Sequence, residues 1–166
     1  GLAGFVRRGY KNVGKKNLPI GYDNFREVIE GGFYYVDKTL FIKTLLDRKG
    51  KANLFTRPRR FGKSLNLSML RYFFEDTGNE ETNKRNRNLF SGLKIMEEGE
   101  AYLSGMTGYP VISLTLKSAK QPDFHLAAVS IKRQIANEYR RHEEIAAKLG
   151  SRKERFMKIM LEQGDE

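Results

Sequence analysis

Eight consecutive residues, Arg57-Pro58-Arg59-Arg60-Phe61-Gly62-Lys63-Ser64, have types and spacing suited to binding a phosphate chain. The segment ends in the Gly-Lys-Ser of phosphate-binding loops, with Arg57 where the first glycine of the usual pattern would stand. A helix starting near Gly62 would turn unpaired N–H groups and the positive end of its dipole toward an anion. Gly62 lets the backbone pass close to a β-phosphate, and Lys63 sets an ammonium between β- and γ-phosphates. The Ser64 hydroxyl suits Mg²⁺. Arg57 followed by Pro58 stiffens the start of the loop but leaves its nest of N–H groups, which comes from later residues. The expected phosphate-binding set is Arg59, Arg60, Phe61, Gly62, Lys63, Ser64 and Leu65, with Ser64 as the metal contact. The competing reading makes the arginines solvated charges on an ordinary turn. Against it, adjacent cations repel one another, and a bound anion would relieve that repulsion.

Such a loop needs a strand before it and a helix after it. Residues 52–56 are an apolar run that reads as the strand. Residues 65–75 read as the helix, with Leu65, Met69, Tyr72 and Phe73 on one broad apolar face. Upstream, Asp23 or Asn24 could cap a short helix carrying Phe25, Val28 and Ile29, closed by Gly31-Gly32. Residues 33–36 form a β-prone run, and a helix is expected over about 38–46. Residues 75–87 are polar and read as an exposed connection. The clearest strand is 109–116, apolar at Val111, Ile112, Leu114 and Leu116, with Pro110 at its start. A long helix is expected from 122 to about 149 and an amphipathic one over about 153–162. Strand, loop, helix, strand, helix is the βαβ order of a parallel sheet. The expected fold class is therefore α/β, a P-loop-type parallel sheet with flanking helices.

A chain of 166 residues can bury a sizeable core. Residues 1–17 read as a basic arm and 18–166 as one domain. The net charge of +11 lies in two places. Residues 1–16 and residues 57–71 each hold five basic and no acidic side chains, leaving the remainder within one charge of neutral. Either patch could meet polyphosphate or nucleic acid. The absence of cysteine excludes disulfides and thiolate chemistry, and His125 and His142 are too isolated in sequence for a metal centre or a triad. No segment approaches the roughly 18–20 apolar residues of a membrane span. With no apolar block of a secretory signal near the N-terminus, a cytoplasmic location is expected.

Four segments together carry a family resemblance: Leu18-Pro19-Ile20-Gly21; Tyr35-Val36-Asp37-Lys38-Thr39 with Phe41-Ile42; Arg57 to Leu65; and Tyr109-Pro110-Val111-Ile112. They resemble the AAA-ATPase-like family of bacterial P-loop ATPases, many of which carry a nuclease-like domain toward the C-terminus. The resemblance implies ATP and Mg²⁺ as ligands and makes the arginine at position 57 the family's own pattern. It implies a nuclease-like C-terminal domain in the same polypeptide, which nucleotide binding would regulate or power. By analogy with related P-loop ATPases, Tyr35, Val36 and Asp37 would border the base. The resemblance also implies an apolar strand ending in acidic residues that order Mg²⁺ and activate water, and no such run is present. Phe73-Phe74-Glu75-Asp76 looks similar but lies on the helix leaving the loop. The domain is thus expected to stop before that strand, to bind ATP and to hydrolyse it poorly. The alternative is a nucleic-acid-binding module gripping phosphates through the arm and the arginine-rich loop, which a steep salt dependence would reveal.

Overall fold

A computed structural model of the chain describes residues 16–56, 58, 62–117, 120 and 122–161. The described residues form seven α-helices: α1 (Phe25–Glu30), α2 (Leu40–Arg48), α3 (Lys63–Phe74), α4 (Glu80–Asn88), α5 (Glu100–Leu103), α6 (Phe124–Arg141) and α7 (Lys153–Met160). Short 3₁₀ turns occupy Lys94–Glu97, Glu143–Lys148 and Gly150–Arg152. Side-chain caps fix three of the helix starts. Asn24 accepts from the N–H of Arg26, Asn79 from that of Thr82, and Asp123 from that of His125. The basic arm expected over 1–17 lies, apart from Lys16 and Asn17, outside the described residues.

The core explains why α3 is the central helix. Its apolar face buries Met69 and Phe73 against Phe25, Ile42, Leu89, Phe90 and Ile95. Phe90 meets Phe25 at a ring separation of 5.0 Å and Phe73 edge-on at 5.2 Å. Each such side chain removed from water is worth about 1.5–3 kcal/mol. α1 is further tied to α3 by the N–H of Phe25 donating to Ser68 Oγ at 3.0 Å. On the other side, α6 packs on α7, with the Tyr139 and Phe156 rings 4.7 Å apart. The buried Glu75, at the end of α3, pairs with Arg71 and with Arg141 of α6, joining the two groups of helices. Glu75 and Asp76 are thus held at the end of α3, where Asp76 accepts from Gly78 and Asn83.

The expected parallel sheet is absent from the described residues, and this corrects the α/β, P-loop-type fold class. Among the described residues one β-bridge is found, joining Glu75 to Tyr109 in parallel. Residues 111–115 form no strand, and their backbone bonds to side chains instead. The N–H of Ser113 donates to Glu138 at 2.9 Å and that of Thr115 to Gln134 at 3.1 Å. The ring Nε2 of His142 lies 2.9 Å from the carbonyl oxygen of Val111. The backbone of Val111, Ser113 and Thr115 is therefore turned toward α6, and the exposed Ile112 and Leu114 line a groove together with Ile135 and Tyr139 of that helix. The run 52–56 is exposed throughout, with Leu54 89% accessible. An apolar run signals β-propensity but does not say what will satisfy its backbone. Here helix side chains do so for part of one run.

Candidate functional site

The loop glycine adopts the conformation that only glycine reaches at no steric cost. Gly62 has φ 73° and ψ 23°, left-handed, and stands immediately before the first residue of α3. Gly62 brings no side chain to cap this helix, and no acid sits in its first turn. The N–H of Asn66 closes onto the carbonyl of Gly62 at 2.9 Å. The first N–H groups of an α-helix have no partner within the helix, and here they belong to the turn that follows Gly62. Because Met69 and Phe73 are fully buried, this end belongs to a helix anchored in the core.

Beside it opens a cleft of about 670 Å³ lined by Lys38, Phe41, Leu54, Phe55, Thr56, Lys63, Asn66 and Leu67. A shallower depression over Phe55, Thr56, Pro58 and Lys63 adjoins it. Phe41 and Phe55 meet edge-to-face at 4.6 Å and form an apolar wall. Among the described residues the side chains of Lys63 and Ser64 have no hydrogen-bond or ion-pair partner. Gly62, Lys63, Ser64 and Leu65 of the expected phosphate set thus occupy the loop–helix junction. Arg57, Arg59, Arg60 and Phe61 lie outside the described residues.

The segment 35–39 has a different surrounding. Tyr35 packs edge-on against Phe25 at 5.3 Å, and its hydroxyl donates to Met69 Sδ at 3.4 Å. Burial, foremost, pushes its phenol up to about 12. Asp37 Oδ1 accepts from the N–H and hydroxyl of Thr39 at 2.9 and 2.6 Å, and Oδ2 from the N–H of Lys94 at 2.8 Å. Burial raises the Asp37 carboxyl, but the bonds from Thr39 and Lys94 outweigh it and hold it below its ordinary value. Val36 is exposed, and none of Tyr35, Val36 and Asp37 lines the cleft. Lys38, between Asp37 and Thr39, does line it and was not singled out from the sequence. Its position inside the Tyr35–Thr39 motif was the available signal.

The family model for predicted AAA-ATPases matches residues 19–164, nearly the whole chain. The chain belongs to the predicted AAA-ATPase family. A further relative is an uncharacterized protein in the vnfD 5′ region of Azotobacter chroococcum mcd 1, 43% identical over 84 residues. The match covers 50% of this chain and 14% of that protein, so this AAA-ATPase-like chain aligns with a small part of its relative's length. No solved structure matches the chain. Among the described residues of this family member, no helix is long and apolar enough to cross a membrane. Nor do any three or more His, Asp or Glu side chains group as metal ligands among them. No observation on the described residues favours the nucleic-acid-binding alternative.

Proposed function

We propose that the cleft at the start of α3 binds the phosphate chain of ATP, with Mg²⁺. The observation that carries this is the left-handed Gly62 at the N-cap of α3, beside a cleft that Lys63 lines. Backbone N–H groups from Gly62 to Leu65, continued by Arg59, Arg60 and Phe61, would cradle the phosphates. Lys63 would neutralise the β- and γ-phosphates, and Ser64 would hold Mg²⁺ together with phosphate oxygens. The residues suit such a ligand, since polyanion binding needs backbone donors and cations, and a helix start beside Lys63 and Lys38 would supply both. The base would lie against the apolar wall of Phe41, Phe55 and Leu67. Tyr35, Val36 and Asp37, placed at the base by analogy, would support the site by fixing the turn that leads into α2.

The lining residues of the cleft include no carboxylate to take a proton from water. In phosphoryl chemistry the protein mainly positions and neutralises charge. We therefore expect binding with little turnover by this chain. In a longer polypeptide, binding would regulate or power an attached domain, a reading that rests on the family resemblance.

Calorimetry with Mg-ATP on the chain and on Lys63→Ala tests the proposal. Saturable binding that falls by about 100-fold or more in the variant is expected, since charged hydrogen bonds and the site's main cation are lost together. Unchanged affinity in Lys63→Ala would sink the assignment.

A further inference from the structure

Lys38 is held at the cleft by the two residues beside it. Asp37 and Thr39 are both turned toward the backbone of residues 94–95. Asp37 accepts from Lys94, and Thr39, fully buried, accepts at its hydroxyl from the N–H of Ile95 at 3.1 Å. With its neighbours engaged on that side, the exposed Lys38 reaches the other way. A Cβ placed on Gly62 would lie 3.9 Å from Lys38 Nζ. The ammonium therefore sits against the loop glycine, in the cleft that Lys63 also lines. Among the described residues Lys38 has no acidic partner. Two unpaired ammonium groups opening on one cleft repel each other, and a polyanion between them removes that cost.

We propose that Lys38 is a second phosphate-binding cation of the site. It faces Lys63 across the phosphate chain and gives the cleft a preference for nucleoside triphosphate over monophosphate. This rests on the reading of the cleft as a phosphate site and extends it to a residue outside the loop. The preference follows because each added phosphate group brings charge within reach of both ammoniums, whereas a monophosphate can engage one well and the other poorly.

The test is calorimetry on the whole chain with Mg-ATP, AMP and inorganic tripolyphosphate, comparing Lys38→Ala, Lys38→Arg and Lys63→Ala. For Lys38→Ala, affinity for ATP and tripolyphosphate should fall by about tenfold or more, the scale of one charged hydrogen bond. AMP affinity should change far less, Lys38→Arg should retain most of the ATP affinity, and the thermal midpoint of Lys38→Ala should match that of the parent. If Lys63→Ala abolishes ATP binding while Lys38→Ala leaves it intact, the Lys38 inference is overturned and the loop assignment stands. If neither variant changes binding, both fail. An equal loss for AMP and ATP in Lys38→Ala also overturns the inference, because it would show a general defect rather than a contact to the phosphate chain.

Discussion

The Asp37 carboxylate accepts a hydrogen bond at 2.8 Å from the backbone N–H of Lys94, a residue 57 positions further along the chain. Its other oxygen accepts twice from Thr39. One side chain thus ties the entry to α2 to the 3₁₀ turn Lys94–Glu97 and sets the direction in which Lys38 leaves the backbone. A sequence pattern that looks like a ligand contact is, in this geometry, a clamp.

Asp37→Asn should expose that clamp. Asparagine has a single acceptor oxygen and cannot serve Thr39 on one side and Lys94 on the other. A loss of about 1–2 kcal/mol at pH 7 is expected by analogy with lost caps. The sign with pH follows from the depressed carboxyl. Its stabilisation is present above the ordinary value of 3.8 and is lost as pH falls through the lower, folded-state value. Urea unfolding should therefore show the parent–variant gap at neutral pH and a shrinking gap below about pH 4. A gap that stays constant into acid would show that the carboxylate charge plays no part.

Gly62→Ala separates backbone strain from crowding. Among the described residues a Cβ there meets only the end of the flexible Lys38 side chain, at an ordinary contact distance. The φ of 73° is the difficulty, and a non-glycine residue in that region costs about 1–2 kcal/mol. The variant should be less stable by that amount in urea titration and should bind Mg-ATP more weakly, because relaxing φ re-aims the first N–H groups of α3. Unaltered stability would mean the loop relaxes without cost.

Helices with an apolar stripe were legible in the sequence. The spacing of Phe25 and Val28, of Met69 and Phe73, and of Ala127 to Tyr139 announces α1, α3 and α6, because burial on one face demands that period. α4 was not, since residues 80–88 have no apolar stripe. Its buried residues are Asn83 and Asn86, held by hydrogen bonds to Thr77, Asp76 and Arg26. Polar burial leaves no hydrophobic period to read. The runs 52–56 and 111–116 misled in the opposite direction, because β-prone composition cannot tell a paired strand from an irregular segment, whose N–H groups at Ser113 and Thr115 meet Glu138 and Gln134. In the site, Gly62 and Lys63 stood out through motif spacing. Lys38 did not, because it reaches the loop only through the fold of Asp37 and Thr39.

Glu75 should be among the costliest polar residues to alter. It is 3% exposed and pairs with Arg71 at 3.0 Å and with Arg141. Glu75→Gln leaves two arginines facing a neutral amide at a half-buried junction. Breaking a buried pair from one side costs about 3–5 kcal/mol. Glu30→Gln, which breaks the exposed pair with Arg85, should cost under about 1 kcal/mol and lose its effect in high salt. Urea unfolding at low and high ionic strength compares the two. Equal costs would deny Glu75 its role in joining α3 to α6.

Tyr35 predicts a change of sign at high pH. Burial pushes its phenol up to about 12 from an ordinary value of 10, because the phenolate would lose its hydration against Phe25 and Met69. A raised value means that the folded state holds the proton more tightly than the unfolded chain does. The associated stability is complete below about pH 10 and is lost as pH rises toward 12. Tyr35→Phe keeps the ring and removes the titrating group. At pH 8 it should be slightly less stable than the parent, through loss of the weak contact to Met69. By pH 11.5 it should be the more stable of the two, because ionisation then favours unfolding of the parent alone. Other tyrosines and lysines titrate in both proteins and cancel in the difference. A parent–variant difference that stays flat from pH 8 to 11.5 would place the Tyr35 hydroxyl in contact with solvent.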